Sequence, residues 1–258
     1  MSLTWHDRCA VVIDLYMIIK AATLPTLKTL FSQPLLALQP TKLRGVFFEN
    51  VWKFMGDGVD EGARETKTDL LPRGRGVLLE IGAGHGHSCK YLDRRKVTRY
   101  IALEPNVLMH DKIVLNATKA GFSPDQIQII GHGAEETDKI LNALDGDQVD
   151  TIVSILSLCG IPNAENSVAR MAKDILKPGG EFLFYEHVRC DPSPTLIWWQ
   201  SFWTPVWQAV VGCRLDKPSH TYVEKLNIWE ERKVWGKLPS EQPNLFWHRV
   251  GVYKKKII

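Results

Sequence analysis

The sequence predicts an α/β chain built on a doubly wound, mostly parallel seven-stranded sheet, and three observations carry that expectation. From Gly76 onward, short apolar runs alternate with helix-length segments. A glycine-rich turn follows the first of those runs, within "VLLEIGAGHGHS". Near the C-terminus the alternation ends in two strand-like runs with no helix between them. Parallel neighbours need a crossover of roughly a dozen residues, which the helical segments supply, whereas antiparallel neighbours need only a turn.

The elements follow in order. Residues 1–70 read as a helical N-terminal section, apolar over 9–38 but interrupted by Asp14 and Lys20 and cut by Pro25 and Pro34. No uncharged stretch there approaches the roughly 20 residues that span a bilayer. The section is expected to be either a helical lid over the domain or an interfacial segment on a membrane. Trp5, Tyr16 and Phe31 among aliphatics are the feature that speaks for the second, which stays open beside the first. "MSLTWHDR" lacks the basic start of a secretory signal.

"GVLLEIG" is the first strand, and a helix is expected from Gly86 to about Arg95. "RYIALEP" is the second strand, stopped by Pro105; the next helix starts on a capping Asn106 and ends at Gly121. "QIQIIG" is the third, followed by a short helix over 135–144. "VDTIVSILSL" is apolar throughout, as a strand covered on both faces must be. A helix stopped by Pro178 and two glycines leads to "EFLFYEHV". The runs 228–236 and 244–254 read as an antiparallel pair at the sheet edge.

Composition narrows the function. Charged residues make up 24% and the formal net charge is +3, too small and dispersed for a nucleic-acid track. Five cysteines without a CxxC pair predict neither a zinc site nor a disulfide framework, and fit a reducing compartment. No metal is therefore expected.

The glycine turn points to a nucleotide-type cofactor, because a backbone without Cβ atoms lets a ligand approach closely. The spacing is G-x-G-x-G, at Gly82, Gly84 and Gly86, not the G-x-G-x-x-G of dinucleotide sites. Glu80 precedes it, placed to receive a cationic amine. Glu104 ends the second strand, where an acid accepts both hydroxyls of a ribose. Ala134 and Glu135 follow the third strand, suited to an adenine edge. An amine, a ribose and an adenine without a pyrophosphate describe S-adenosylmethionine better than a nicotinamide dinucleotide.

The ordered run "LLEIGAGHG … ALEPN … GAEE … VDTIVSILSLCGI … LKPGGEFLFYEHV" resembles the class I S-adenosylmethionine-dependent methyltransferases of the type 11 small-molecule branch. Further on, "WWQSFWTPVWQAVVGCRLDKPSH" is similar to the methyltransferase-like seven group, membrane-associated enzymes that methylate thiols. The resemblance implies a methyltransferase domain over 71–258 with a substrate-side insertion at 190–227. It places Glu80, Gly82, Gly84 and Gly86 at the methionine end of the cofactor, Glu104 with Asn106 at the ribose and Ala134 and Glu135 at adenine, with Ser154 lining the cofactor at the end of the fourth strand. The expected location is the cytoplasm, either free or at the cytosolic face of an intracellular membrane, the latter as the resemblance implies.

Methyl transfer asks the protein to position an acceptor and manage one proton. Candidates at the strand tips are Ser157 and Cys159 after strand four and Glu186 and His187 after strand five, with His187 as base or acceptor-orienting group. His220 and Asp216 are weaker candidates, and His85 and His87 are expected near the cofactor or in solvent. Trp199, Phe202, Trp203, Val206 and Val210 share a helical face expected to be core, with Trp198 and Trp207 off it. With Phe47, Phe48, Trp52 and Phe54, these rings predict an aromatic site for a small lipophilic acceptor, Trp52, Trp199 and Trp203 touching it. Methylation of sulfur, then oxygen or nitrogen, is the expected activity; carbon methylation of a quinone or isoprenoid, and a cofactor-binding partner without turnover, are the alternatives.

Overall fold

A computed structural model describes residues 5–238 and 241–257, with side chains from residue 11 onward. The side chains of Trp5 and Cys9 lie outside the described residues. All seven expected strands are present: β1 (Gly76–Ile81), β2 (Val97–Leu103), β3 (Ile127–Ile130), β4 (Val149–Ile155), β5 (Leu176–His187), β6 (Trp229–Gly236) and β7 (His248–Lys255). They form one sheet in the order β3-β2-β1-β4-β5-β7-β6. The first five strands are parallel, and β7 inserts antiparallel between β5 and β6.

Successive side chains on each strand go to opposite faces, so the central strands feed two cores. Leu79, Ile81, Phe182 and Phe184 join one, against α5 (Thr137–Ala143), α6 (Ala164–Arg170) and α8 (Ser219–Glu224). Leu78, Tyr100, Leu183 and Tyr185 join the other, against α3 (Arg64–Leu70) and α4 (His110–Lys119). A third core lies beyond the sheet. There Val11, Leu15, Ile18 and Ala22 of α1 (Trp5–Ser32) meet Val51 of α2 (Pro40–Gly62) and Trp207 of α7 (Pro194–Val211).

Three local expectations are corrected. Pro25 does not cut the first helix, which runs through it to Ser32. Packing of α1 against α2 and α7 outweighs the hydrogen bond that Pro25 cannot donate. The helix expected from Gly86 to Arg95 is only a 3-10 turn over His87–Tyr91. Two of its side chains, His87 and Lys90, are held by Asp57 and Asp60 of α2, and the Asp93 carboxylate accepts from Arg95 N–H at 3.0 Å and closes the turn. The glycine turn is therefore followed by a 3-10 turn and not by a long helix, and its ligand-facing character comes from the open backbone.

The third correction concerns α7. Its buried residues include Leu196, Gln200, Thr204 and Trp207, while Trp198, Phe202 and Val206 are 47–59% exposed. The stripe expected to be core is partly turned outward. Gln200 faces inward because its amide is fully used: Oε1 accepts from Cys190 N–H at 2.9 Å, and Nε2 donates to the carbonyls of Val188 and Leu245. Thr204 Oγ1 donates to Gln200 O at 2.8 Å and accepts from Leu215 N–H at 3.1 Å.

Gly251 of β7 lies opposite Phe184 of β5, and a Cβ built there would sit 2.1 Å from the Phe184 ring. Gly251→Ala is expected to destabilise the chain by about 1–3 kcal/mol through overpacking. A urea titration of the variant, alone and with Phe184→Leu, checks this: the second change should restore part of the loss.

Candidate functional site

One cavity of about 970 Å³ lies above the C-terminal ends of β1, β2, β4 and β5, roofed by α2 and bounded by the end of α7. That is where ligands sit on open parallel sheets. Glu80, Gly82, Gly84, Glu104 and Asn106 line one end, with Ala134 and Glu135 beside them. Ser157, Cys159, His187, Trp207 and Cys213 line another part, and Phe48 and Trp52 cover it from α2.

Glu104 organises the nucleotide end. Its carboxylate accepts Gly84 N–H and Asn106 N–H, both at 2.9 Å. Burial raises its pKa against those two donors. A carboxylate offers about four lone-pair positions, so capacity remains for two ligand hydroxyls. Asn106 uses its amide otherwise: Nδ2 donates to Gly45 O of α2 at 3.0 Å, and Oδ1 accepts Leu108 N–H at 3.3 Å. Gly84 adopts φ 56°, and a Cβ there would lie 2.8 Å from Trp52 Nε1. Gly86 adopts φ 74° for a different reason, since a Cβ there would meet the α4 backbone at Ile113, 3.2 Å away. Gly86 thus serves packing and is not among the cavity-lining residues.

Glu80 is buried, accepts from Tyr100 Oη, and has its pKa raised by burial. Near it lies an ion cluster that sequence reasoning missed. Lys67 Nζ is 2.8 Å from Asp60, Lys90 Nζ is 2.6 Å from the same carboxylate, and Tyr91 Oη donates to it at 3.1 Å. Burial alone would raise Asp60, but the two ammonium groups hold it below its ordinary value. Lys67 and Asp60 both line the cavity.

The histidines of the glycine turn both bind the roof, and His87 also lines the cavity, as expected, whereas His85 does not. His85 Nε2 lies 3.0 Å from Glu49, and His87 Nε2 lies 3.0 Å from Asp57, both acids on α2. Trp52 Nε1 is buried with no partner and lines the cavity, a donor positioned for a ligand.

At the far corner, His187 Nδ1 lies 3.4 Å from Cys213 Sγ, and His187 Nε2 is buried without a partner. Cys159, His187 and Cys213 bring donor atoms within 4.8 Å of one another. Hydrogen bonds from Cys213 and His187 draw the Cys159 thiol down to about 6 against its burial. The chain separations between these residues gave no signal for the cluster, because the fold closes it through β4, β5 and the end of α7.

Glu186, expected beside His187 in catalysis, is fully buried and does not line the cavity. It accepts Ser154 Oγ at 2.7 Å and the N–H groups of Ser157 and Leu158 at 3.1 Å each. Those bonds hold a turn in which Leu156 has the left-handed φ of 53°, a conformation that costs roughly 1–2 kcal/mol. Ser154 belongs to the same buried network and does not line the cavity either. Trp199 and Trp203 pack against the third core and are also absent from the lining; Trp207, expected off the core face, is 5% exposed and takes that place. Phe47 packs into the third core and Phe54 is exposed. His220 lies 3.5 Å from Asp191 and Asp216 pairs with Arg214, neither lining the cavity.

A family model described as a methyltransferase domain matches residues 55–219, well over half of the chain. The chain belongs to that methyltransferase family. The family's methyl donor is S-adenosylmethionine, and the acids, the unpartnered Trp52 donor and the open glycine backbone fit such a group. Among curated proteins, the methyltransferase is similar to thiol S-methyltransferase TMT1A of Homo sapiens, at 27% identity over 61% of this chain and 62% of that protein. The aligned stretch thus spans less than two thirds of that relative's length. It is also 26% identical to thiol S-methyltransferase TMT1B of Rattus norvegicus, over 68% of this chain and 67% of that one. Among solved structures, an O-methyltransferase family protein from Burkholderia thailandensis shares the fold with a TM-score of 0.57 at 13% identity, covering 99% of this chain and 74% of that one.

Two outcomes follow from these contacts. Glu104→Ala is expected to weaken S-adenosylhomocysteine binding about 10- to 100-fold, from roughly 1.5–3 kcal/mol for hydrogen bonds to a charged group, as read by calorimetry. Burial raises Glu186 from 4.5 to about 7. The folded chain therefore holds a proton that the unfolded chain releases, and this contribution to stability is complete below about pH 4.5 and lost as pH rises to about 7. In urea titrations the stability of wild type relative to Glu186→Gln should fall over that window, by at most about 3 kcal/mol, and stay level above it.

Proposed function

We propose that the chain transfers the methyl group of S-adenosylmethionine to the thiol of a small lipophilic molecule. The observation that carries this reading is the continuity of one cavity from the Glu80 and Glu104 strand tips to the aromatic and Cys159–His187–Cys213 corner. The names of the curated relatives support sulfur as the acceptor atom.

When bound, the donor supplies an electrophilic methyl on a sulfonium. Glu104 would take the ribose hydroxyls, and Ala134 and Glu135 the adenine edge. Glu80, Asp60 and Lys67 offer both charge signs to the amino-acid end. Phe48, Trp52 and Trp207 enclose an apolar acceptor and exclude water. A thiol with an ordinary pKa near 8.5 needs help to ionise at neutral pH. His187, with Nε2 unpartnered at the cavity, is the group placed to take that proton.

The test is a panel of alkyl thiols, phenols and quinols with methyl-labelled donor. Labelled thioethers are the expected product. Label only in phenols or quinols, or in no acceptor, contradicts the reading.

We propose in addition that the chain rests on a membrane surface, on the cytosolic side where its free thiols stay reduced. Among the described residues no helix is long and apolar enough to cross a bilayer. What supports surface contact is the outward apolar side of the third core: Ile13, Tyr16 and Phe31 on α1, Leu38 after it, and Trp198 and Phe202 on α7 are 53–86% exposed. Phosphatidylcholine vesicles are expected to carry the chain upward in flotation. Trp198→Glu with Phe202→Glu should weaken that association at least about tenfold, since each buried ring contributes roughly 1.5–3 kcal/mol. Equal flotation of the double variant contradicts it.

A further inference from the structure

We propose that Cys159, His187 and Cys213 bind a thiophilic divalent cation of the zinc class, leaving its fourth coordination position open to the cavity. The sequence pattern predicts no such site, and the fold creates it.

Three segments converge there: the turn after β4, the last residue of β5, and the residue after the glycine that ends α7. Tetrahedral zinc with bonds of about 2.3 Å to sulfur and 2.0–2.1 Å to nitrogen sets edges of about 3.5 Å between S and N and about 3.8 Å between two sulfurs. The Cys213 Sγ to His187 Nδ1 distance is 3.4 Å, and all three donor atoms lie within 4.8 Å of one another. One face of a tetrahedron is thus formed with little movement needed to close it. Two sulfurs and an imidazole are a soft donor set, which selects zinc-like ions over magnesium or calcium.

The donors are held in place by their backbone. Glu186 fixes the N–H groups of Ser157 and Leu158, immediately before Cys159. Lys217 Nζ binds the carbonyls of Leu158 and Ile161 at 3.2 and 2.8 Å, on either side of it. Arg214 N–H donates to Cys159 O at 3.3 Å and ties the two cysteine segments together. Cys159 and His187 are 4–5% exposed, yet all three residues line the cavity. Three protein ligands plus a cavity-facing vertex is the arrangement of reactive zinc sites, whereas structural sites close all four positions. His187 Nε2, buried and unpartnered, is the second sign of a ligand at this corner. With Nδ1 on the cation, Nε2 keeps its proton and remains a donor toward whatever occupies the cavity, so the cation takes over from His187 the task of ionising the thiol.

The role of the open position rests on the thiol reading above; the binding of the cation does not. A thiol entering that position releases its proton to solvent and is held as thiolate. Its sulfur then forms the new bond to the methyl carbon as the carbon–sulfonium bond breaks, giving a thioether and S-adenosylhomocysteine. The uncharged thioether is the weaker ligand and leaves.

The experiment uses the full chain, purified without oxygen, stripped with chelator, and titrated with Co²⁺. Thiolate-to-cobalt charge-transfer absorption saturating at about one equivalent, displaced by Zn²⁺, is expected. Cys159→Ser, Cys213→Ser and His187→Gln should each weaken cobalt binding by more than about 100-fold, beyond the roughly 10–100-fold cost of losing an outer-shell partner. S-adenosylhomocysteine titration of the same samples reports that the variants are folded. Absent absorption with S-adenosylhomocysteine still bound, or absorption that survives all three substitutions, overturns the site. Cation binding with no thiol methylated leaves the site standing and removes the acceptor reading instead.

Discussion

Everything above the sheet depends on the Glu104 carboxylate. By accepting Gly84 N–H and Asn106 N–H it joins the glycine turn after β1 to the chain leaving β2. Each partner then reaches the roof: Gly84 leaves space for Trp52, and Asn106 Nδ2 holds Gly45 O. One buried acid therefore sets the floor, the roof and the gap between them. Desolvation works against the ionised form of that acid. A ligand that donates hydroxyls to it offsets the same cost, so the group that shapes the cavity also has reason to attract a ribose.

A second acid performs the corresponding task at the other end without touching the cavity. Glu186 sits behind the turn after β4, and its three donors hold Leu156 in a left-handed conformation. The strain is local, and the return is position: Ser157 and Cys159 are carried to the cavity wall opposite Cys213. The two ends thus use the same physics, a buried carboxylate satisfied by backbone N–H groups, for different ends of one ligand path. The roof adds side-chain hydrogen bonds of its own through Glu49–His85 and Asp57–His87.

The centre of the sheet was legible because β1, β4 and β5 are largely covered on both faces and so read as apolar runs, whereas edge strand β6 is exposed along most of its length. Glu104, Ala134 and Glu135 were legible for a related reason, since they stand at strand tips that punctuation by proline and glycine marks in the chain. Glu186 was misplaced by one residue of alternation: His187 faces the cavity, and its neighbour must face the other way. Trp199 and Trp203 failed differently. Periodicity identified an apolar side of α7 correctly, but inward Gln200 and Thr204 are satisfied by carbonyls and amides that no sequence pattern foretells. The Asp60–Lys67–Lys90 cluster and the Cys159–His187–Cys213 corner were invisible because their members meet only through tertiary closure.

The central claim is that the acids at the tips of β1 and β2 grip an adenosyl ligand whose sulfur faces the cysteine–histidine corner. A crystal structure of the chain with S-adenosylhomocysteine tests it most directly. The account predicts ribose hydroxyls within hydrogen-bond distance of Glu104, adenine beside Ala134, and the thioether sulfur turned toward His187. A nucleoside seated elsewhere, or one in this cavity with its sulfur turned away from that corner, would contradict it.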